Sequence, residues 1–93
     1  MAAEWDPAKA EANLRKHGVR FAHAITALED EHAVSIREER FDEERWITIG
    51  VDSLGRLLVV VHTWRGEQAR LISARFATPR EHRQYQRSYE KGI

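Results

Sequence analysis

The sequence contains one long uninterrupted run of apolar residues, Leu57 to Val61, in a chain that is otherwise rich in charge. Turn-forming residues border the run on both sides, DSLG at 52–55 and RGE at 65–67. A short apolar run between turns is typical of a strand that is covered on both faces. We therefore predict a central strand over Arg56–Trp64, around which the rest of the chain is arranged.

Three further segments are predicted to form a sheet with this strand. Trp46–Asp52 has apolar residues at every second position, which is the period of a strand. Gln68–Phe76 is predicted as the last strand and His32–Ile36 as a short first strand. Arg37–Glu44 holds five carboxylates and two arginines, and is interpreted as a solvated, mobile hairpin loop.

Local signals predict three helices. Asp6-Pro7 is a helix start, because aspartate caps free backbone N–H groups and proline suits the first helical position. That helix is expected to end at Gly18, since glycine is favoured after a helix C-terminus. A second helix over about Phe21–Leu28 has one apolar stripe. A capping box in Thr78-Pro79-Arg80-Glu81 starts a final helix that runs to about Glu90.

The predicted order is α-α-β-β-β-β-α, with two N-terminal helices, a four-stranded antiparallel sheet and a C-terminal helix. This is an α+β fold. A chain of 93 residues suits one small domain, so residues 1–93 are interpreted as a single domain. The sequence has no cysteine, which excludes disulfides and thiolate zinc sites.

No apolar stretch approaches the roughly 20 residues of a membrane-spanning helix. The first residues, MAAEWD, lack the basic and apolar regions of a signal peptide. A cytoplasmic protein without membrane contact is therefore expected.

The net charge of zero hides an asymmetry along the chain. Residues 1–55 carry 7 Lys+Arg and 12 Asp+Glu, a net of −5, whereas residues 56–93 carry 8 and 3, a net of +5. Opposed halves of this kind favour a polyanion-facing side and a separate acidic side. The alternative is that the two halves only neutralise each other in the fold.

Arginines dominate the basic half. A guanidinium binds phosphate through paired hydrogen bonds and stays charged at any relevant pH. Arg65, Arg70 and Arg75 surround one end of the predicted sheet and are the predicted phosphate-binding set. Arg70 and Arg75 are five residues apart, so they point to opposite faces unless a bulge intervenes.

The last helix carries a second group of arginines. Arg80, Arg83 and Arg87 share one helix face, and Arg80 also lies in the first turn, where a helix N-terminus favours phosphate. For Arg83 and Arg87, a simple solvated face is an equally good interpretation.

Two residues are candidates for moving protons. His62 lies in the central strand, where a hydrogen-bonded core histidine is the alternative interpretation. Tyr85 is in the last helix, whose face could instead pack on the sheet. The five histidines are not spaced as metal ligands, so neither a metal site nor a cofactor is predicted.

An ordered set of short motifs spans about residues 4 to 86 and resembles the BrnT toxin family, also called DUF497. Its first half resembles the opening of that family in Glu4-Trp5-Asp6-Pro7-Ala8-Lys9, Asn13-Leu14, Lys16-His17-Gly18-Val19 and Phe21. Its second half does so in Glu44-Arg45-Trp46, Gly50, Leu54-Gly55-Arg56-Leu57, His62-Thr63, Arg65-Gly66, Arg70-Leu71-Ile72-Ser73-Ala74-Arg75, Glu81 and Tyr85.

The resemblance implies a toxin of a bacterial type II toxin–antitoxin pair, with a fold similar to the RelE ribonucleases. Such a toxin would cleave RNA, free or on the ribosome, and arrest translation. Its partner would be a BrnA-like antitoxin with a ribbon-helix-helix DNA-binding segment, in a hetero-oligomer. A non-catalytic module that binds nucleic acid or an antitoxin is the alternative.

If the implied activity is metal-independent RNA cleavage, each candidate residue has an expected role in the reaction. Arg65, Arg70 and Arg75 would stabilise the phosphate in the transition state, and His62 or Tyr85 would move protons. Supporting contacts to RNA phosphates are expected from four further residues: Arg80, Arg83, Lys16 and His17.

Overall fold

The structure, a computed structural model, describes residues 2–40 and 43–91, although the side chains of Arg40 and Lys91 are not described. The described chain forms these elements in order: β1 (Ala3–Glu4), α1 (Pro7–His17), α2 (Phe21–Leu28), β2 (Val34–Arg40), β3 (Glu43–Val51), β4 (Leu57–Arg65), β5 (Gln68–Phe76) and α3 (Pro79–Lys91). The α+β class and the three helices agree with the prediction. None of the helices in the described part of the chain is long and apolar enough to cross a membrane.

The sheet has five strands in the order β1-β5-β4-β3-β2, and it is mixed. The predicted four-stranded antiparallel sheet is therefore wrong in one respect. β1 pairs in parallel with β5, with Ala3 opposite Ala69 and Glu4 opposite Arg70. A strand of two residues is too short to show periodicity in the sequence. Only its pairing with β5 identifies it as a strand.

The predicted loop Arg37–Glu44 is also wrong in its extent. β2 and β3 pair as far as Arg40 and Glu43. Opposite charges make this possible on an exposed ladder, since Arg37 Nε lies 3.0 Å from Glu44 Oε1 across the two strands. The centre of the predicted loop, residues 41–42, lies outside the described residues.

The predicted helix caps are confirmed. Asp6 Oδ1 accepts a hydrogen bond of 2.8 Å from the Ala8 N–H, and Gly18 has a left-handed φ of 71° after α1. At α3, the Thr78 N–H donates to Glu81 Oε1 over 2.9 Å. The Glu81 N–H donates in return to Thr78 Oγ1 over 3.2 Å. This pair is the capping box.

The central strand has apolar residues on both faces. On one face it packs with β5 against α1 and α2 in the larger core, which comprises Val19, Phe21, Ala24, Ala27, Leu58, Val60, Ala69, Leu71 and Ala74. Gly50 lets α2 approach this side of the sheet, because a Cβ there would lie 2.3 Å from the Ala27 carbonyl oxygen. On the other face Leu57, Val59 and Ile49 pack against Tyr85 of α3.

The α3 helix covers only one end of that second face. Towards the opposite end the sheet is partly exposed, and Ile36 is 46% exposed. We call this uncovered surface the open face. Strand pairing and exposure assign these residues to it: Glu4, Ile36, Glu38, Glu43, Arg45, Ile47, Val61, Thr63, Arg65, Arg70, Ser73 and Arg75.

Candidate nucleic-acid interface

A β-bulge places the sheet arginines on one face. Val61 pairs with Ser73 and His62 with Leu71, so Ile72 has no partner and the register shifts by one residue. Residues directly opposite each other in an antiparallel pair point to the same side of the sheet. Arg70 pairs with Thr63 and Arg75 with Val59, and both partners point to the α3 side. Strict alternation required a bulge for Arg70 and Arg75 to share one face, and this bulge is present. Arg70 and Arg75 therefore lie on the same side of the sheet as Arg65.

Arg65 and Arg70 share one carboxylate. Glu4 Oε1 lies 3.3 Å from Arg65 Nε and 3.7 Å from Arg70 Nη1. The three residues come from β1, β4 and β5, so the sheet and not local sequence brings them together. The result is a compact cluster of two guanidinium groups around one carboxylate at the edge of the open face.

Arg75 binds a different carboxylate, at the boundary between the open face and α3. Its Nη1 donates to Glu81 Oε1 over 2.7 Å, and its Nη2 donates to Glu81 Oε2 over 2.9 Å. The hydrogen bonds from Arg75 lower the pKa of Glu81 to about 2, and they raise the pKa of Arg75. This pair holds the guanidinium in a fixed orientation beside the first turn of α3.

The open face contains a further arginine that was not singled out as a candidate from the sequence. Arg45 shares its face with Ile47, two residues on, and its Nη2 lies 3.4 Å from Glu43 Oε2. Its Nε is buried without a hydrogen-bond partner among the described residues. The alternation that predicted β3 could have identified Arg45, but Arg45 lies between the predicted loop Arg37–Glu44 and the predicted strand Trp46–Asp52.

His62 lies on the other side of the sheet, so the structure does not bring it together with the arginines. It is 3% exposed, and its Nε2 is 2.9 Å from Thr48 Oγ1. Its Nδ1 is buried with no partner among the described residues. Burial lowers the pKa of His62 to about 4. This is the environment of a neutral core histidine.

Tyr85 lies on the side of α3 that packs against the sheet, at the end of the sheet face that α3 covers. Its hydroxyl donates to Asp30 Oδ2 over 2.6 Å. Burial and this hydrogen bond raise the pKa of Tyr85 to about 12. Burial alone would raise the pKa of Asp30, but hydrogen bonds from Tyr85 and from the Val51 and His32 N–H groups outweigh it and lower the pKa. The hydroxyl therefore anchors α3 to the segment before β2.

Lys16 and His17 lie close to the edge of β5. With Lys9 and Ser73 they line a groove of about 300 Å³ between α1 and this edge. Ser73 also belongs to the open face, so the groove and the open face share this residue. The structure thus places the predicted Lys16 and His17 next to the arginine surface.

The remaining candidates lie along α3. Arg80, Arg83 and Arg87 are exposed, and Arg83 and Arg87 border a shallow depression with Gln86 and Glu90. Their environment is that of solvated side chains next to the open face. As a whole, the surface offers fixed guanidinium groups, hydroxyls and exposed aliphatic side chains, which suits an extended anionic chain better than a compact ligand.

Comparisons with known proteins bear on the family and on the fold of this chain. Residues 5–81 match the model of a family described as the ribonuclease toxin BrnT of type II toxin–antitoxin systems. The fold is similar to the crystal structure of the Brucella abortus ribonuclease toxin BrnT, with a TM-score of 0.65 and 30% sequence identity. That match covers 84% of this chain and 97% of the Brucella chain. The search of curated proteins gave no match.

Proposed function

We propose, since this chain belongs to the BrnT family of type II toxin–antitoxin ribonuclease toxins, that it is a metal-independent endoribonuclease whose active surface is the open face. Membership of the family implies an RNA substrate and an antitoxin partner. The identity of the cleaving residues, the chemistry of cleavage and the type of antitoxin are our own inferences.

One observation supports this proposal most strongly: the bulge at Ile72 puts Arg65, Arg70 and Arg75 on one uncovered side of the sheet. Fixed guanidinium groups stabilise the negative charge that develops on phosphorus during transfer. RNA is recognised mostly as single strands, through phosphates and unstacked bases. The exposed Ile36, with Ile47 and Val61 beside it, provides an apolar floor for such bases.

In the proposed reaction, the 2′-hydroxyl of the substrate attacks the adjacent phosphorus and the 5′-oxygen leaves. Arg65, Arg70 and Arg75 bind the non-bridging oxygens as charge develops there. Glu81 fixes Arg75 through two hydrogen bonds, and the charge of Glu4 keeps Arg65 and Arg70 next to each other, so the arginines are already near the phosphate when substrate arrives. The products are a 2′,3′-cyclic phosphate and a 5′-hydroxyl.

The strand outside the reacting phosphate follows the basic surface. On one side, Lys16 and His17 in the groove beside β5 bind flanking phosphates. On the other side, Arg80 and Arg83 extend the basic surface along α3. These contacts add affinity that falls with salt but carries no base specificity.

The antitoxin is proposed to be BrnA-like, with a ribbon-helix-helix DNA-binding segment, and to form a hetero-oligomer with this chain in the cytoplasm. Glu39 and Glu44 of the β2–β3 hairpin lie on the opposite side of the sheet from the arginines of β4 and β5. A partner that contacts this acidic side would leave the open face to RNA.

The test is to incubate the partner-free protein with end-labelled single-stranded RNA in excess EDTA, beside Arg75→Ala. We expect fragments that end in a 2′,3′-cyclic phosphate, and none with Arg75→Ala. Intact RNA, both free and on translating ribosomes, would overturn the proposal. If RNA still binds tightly without cleavage, the protein is a binding module, the alternative that its paired arginines also permit.

A further inference from the structure

Glu4 lies at the edge of the open face, on the edge strand β1. In the parallel pairing of β1 with β5, Ala3 joins the larger core, and Glu4 lies opposite Arg70. Because side chains alternate along a strand, Glu4 points to the opposite side from Ala3 and towards the arginines. Its Oε1 then lies 3.3 Å from Arg65 Nε and 3.7 Å from Arg70 Nη1.

Glu4 contacts the two arginines through charge and without a hydrogen bond to its Oε1 from the described residues. Charge-assisted hydrogen bonds are typically about 2.7–2.9 Å long, as in the Arg75–Glu81 pair at 2.7 and 2.9 Å. The Glu4 distances are longer, and Glu4 Oε1 is buried without a hydrogen bond. The side chain as a whole is 32% exposed. Glu4 is thus held by charge next to the arginines, while part of it reaches the surface.

Other proton carriers on this side of the sheet are less suited. Glu81 is bound by both nitrogens of Arg75 and has a pKa of about 2. Tyr85 has a pKa of about 12. Glu38 and Glu43 stand on β2 and β3, at least two strands from β5, which is roughly 10 Å. His62, the candidate base from the sequence, is on the other side.

We propose that Glu4 is the general base of the cleavage reaction, an inference that rests on the proposed ribonuclease function. The Glu4 carboxylate takes the proton of the 2′-hydroxyl as O2′ forms its bond to phosphorus. The bond from phosphorus to O5′ breaks, and O5′ takes a proton from water. Glu4 then returns its proton to solvent, so that no proton is gained or lost overall. Arg65 and Arg70 keep the carboxylate beside the phosphate that they bind.

The test compares Glu4→Gln with wild type in two measurements. The amide has almost the same shape and keeps one acceptor oxygen for the arginines, but it cannot take the proton. We expect cleavage of RNA to slow by at least about 100-fold, as for loss of a general base. Binding of an uncleavable 2′-deoxy analogue should weaken by no more than about threefold, because the phosphate contacts remain. Glu11→Gln, an exposed carboxylate on α1 paired with Arg15, is the matched control, and thermal unfolding verifies that each variant is folded.

The outcomes separate the two proposals. Absence of cleavage by wild type would overturn the ribonuclease function itself. Cleavage by wild type and equally by Glu4→Gln would overturn only the role of Glu4 as base. If Glu4→Gln loses cleavage and analogue binding together, Glu4 positions the arginines and is not the base. Loss of cleavage with binding retained supports the inference.

Discussion

At the scale of single residues, carboxylates decide how the arginines are presented. The Glu4 carboxylate lies between Arg65 and Arg70. The Glu81 carboxylate accepts hydrogen bonds from both terminal guanidinium nitrogens of Arg75. A long side chain on an open surface would otherwise lose rotamer entropy when it binds phosphate. Here two hydrogen bonds to Glu81 already restrain Arg75, so this arginine has less rotamer entropy to lose when it binds phosphate.

The Arg75–Glu81 pair should make stability depend on pH in the acid range. The pKa of Glu81 falls from about 4.5 to about 2 on folding. The stabilisation is therefore complete above about pH 4.5 and is lost as the pH falls towards 2. Arg75→Gln should lower the free energy of unfolding by about 1 kcal/mol at pH 6, and by less at pH 2.5. Denaturant titrations at both pH values measure this, and an equal loss at both would contradict the assignment.

His62 should make stability fall in a different range. Its pKa is about 4 when folded against 6.5 for an unburied histidine. As the pH falls from 6.5 to 4, the unfolded chain takes up a proton that the folded chain does not. The contribution of His62 to the free energy of unfolding should then drop by at most about 3 kcal/mol, and it should change no further below pH 4.

The matched variants are His62→Gln and His82→Gln, the second at an exposed position on α3. The part of the pH-dependent loss that His62 contributes between pH 6.5 and 4 should disappear in His62→Gln and persist in His82→Gln. Because His62 lies away from the open face, His62→Gln should also keep RNA cleavage within about threefold of wild type at neutral pH. A complete loss of cleavage in a folded His62→Gln would restore histidine as a catalytic candidate.

At the scale of elements, the bulge at Ile72 places Arg70 and Arg75 of β5 on the same side of the sheet. Its presence could not be predicted from the sequence, because strict alternation sends Arg70 and Arg75 to opposite faces. The strands, the helices and their caps were predictable, since capping residues, periodicity and turns are local signals. β1 was not, and with it the position of Glu4 next to Arg65 and Arg70 was missed.

The attachment of α1 to β5 depends on Asn13. Its Nδ2 donates to the carbonyl oxygens of Val19 and Ala74, over 3.0 and 2.9 Å. Its Oδ1 accepts from the Ala74 N–H over 3.0 Å. The side chain therefore satisfies the backbone of β5 just beyond the bulge, where β1 no longer pairs with it.

Asn13→Ala should leave these buried backbone groups without partners and lower the free energy of unfolding by about 2–3 kcal/mol. Chemical denaturation measures the loss, and hydrogen exchange should show faster exchange of the Ala74 amide. Ala12→Ser, at the neighbouring exposed position on α1, serves as the control. An Asn13→Ala protein as stable as wild type would show that α1 is held by the apolar core alone.

At the scale of the whole molecule, the charge asymmetry of the sequence becomes a division of surfaces. The net +5 of residues 56–93 includes all the arginines of β4, β5 and α3. The acidic excess of residues 1–55 includes the carboxylates of β2 and β3. Charged residues of the first half nevertheless lie on the open face with the arginines: Glu4, Glu38, Glu43 and Arg45. Counting charges along the chain therefore predicts the polarity but not the full site.

RNA affinity should therefore depend on salt through a small number of phosphate contacts. Each phosphate neutralised on a single strand contributes about 0.7 to the slope of log affinity against log salt concentration. Arg70→Gln should reduce that slope by about 0.7, because one contact is lost. Arg15→Gln, an exposed arginine paired with Glu11 on α1, should leave the slope unchanged. Identical slopes for Arg70→Gln and wild type would place RNA elsewhere.

The most direct test of the open face is the rate of RNA cleavage by Arg70→Gln beside Arg37→Gln. Both are strand arginines with carboxylate partners, but Arg37 pairs with Trp46 and lies on the opposite side of the sheet. We expect Arg70→Gln to slow cleavage by at least about 100-fold, because it removes stabilisation of the transition state. Arg37→Gln should change the rate by less than about threefold. Equal rates in the two variants would contradict the assignment of catalysis to the arginines of the open face.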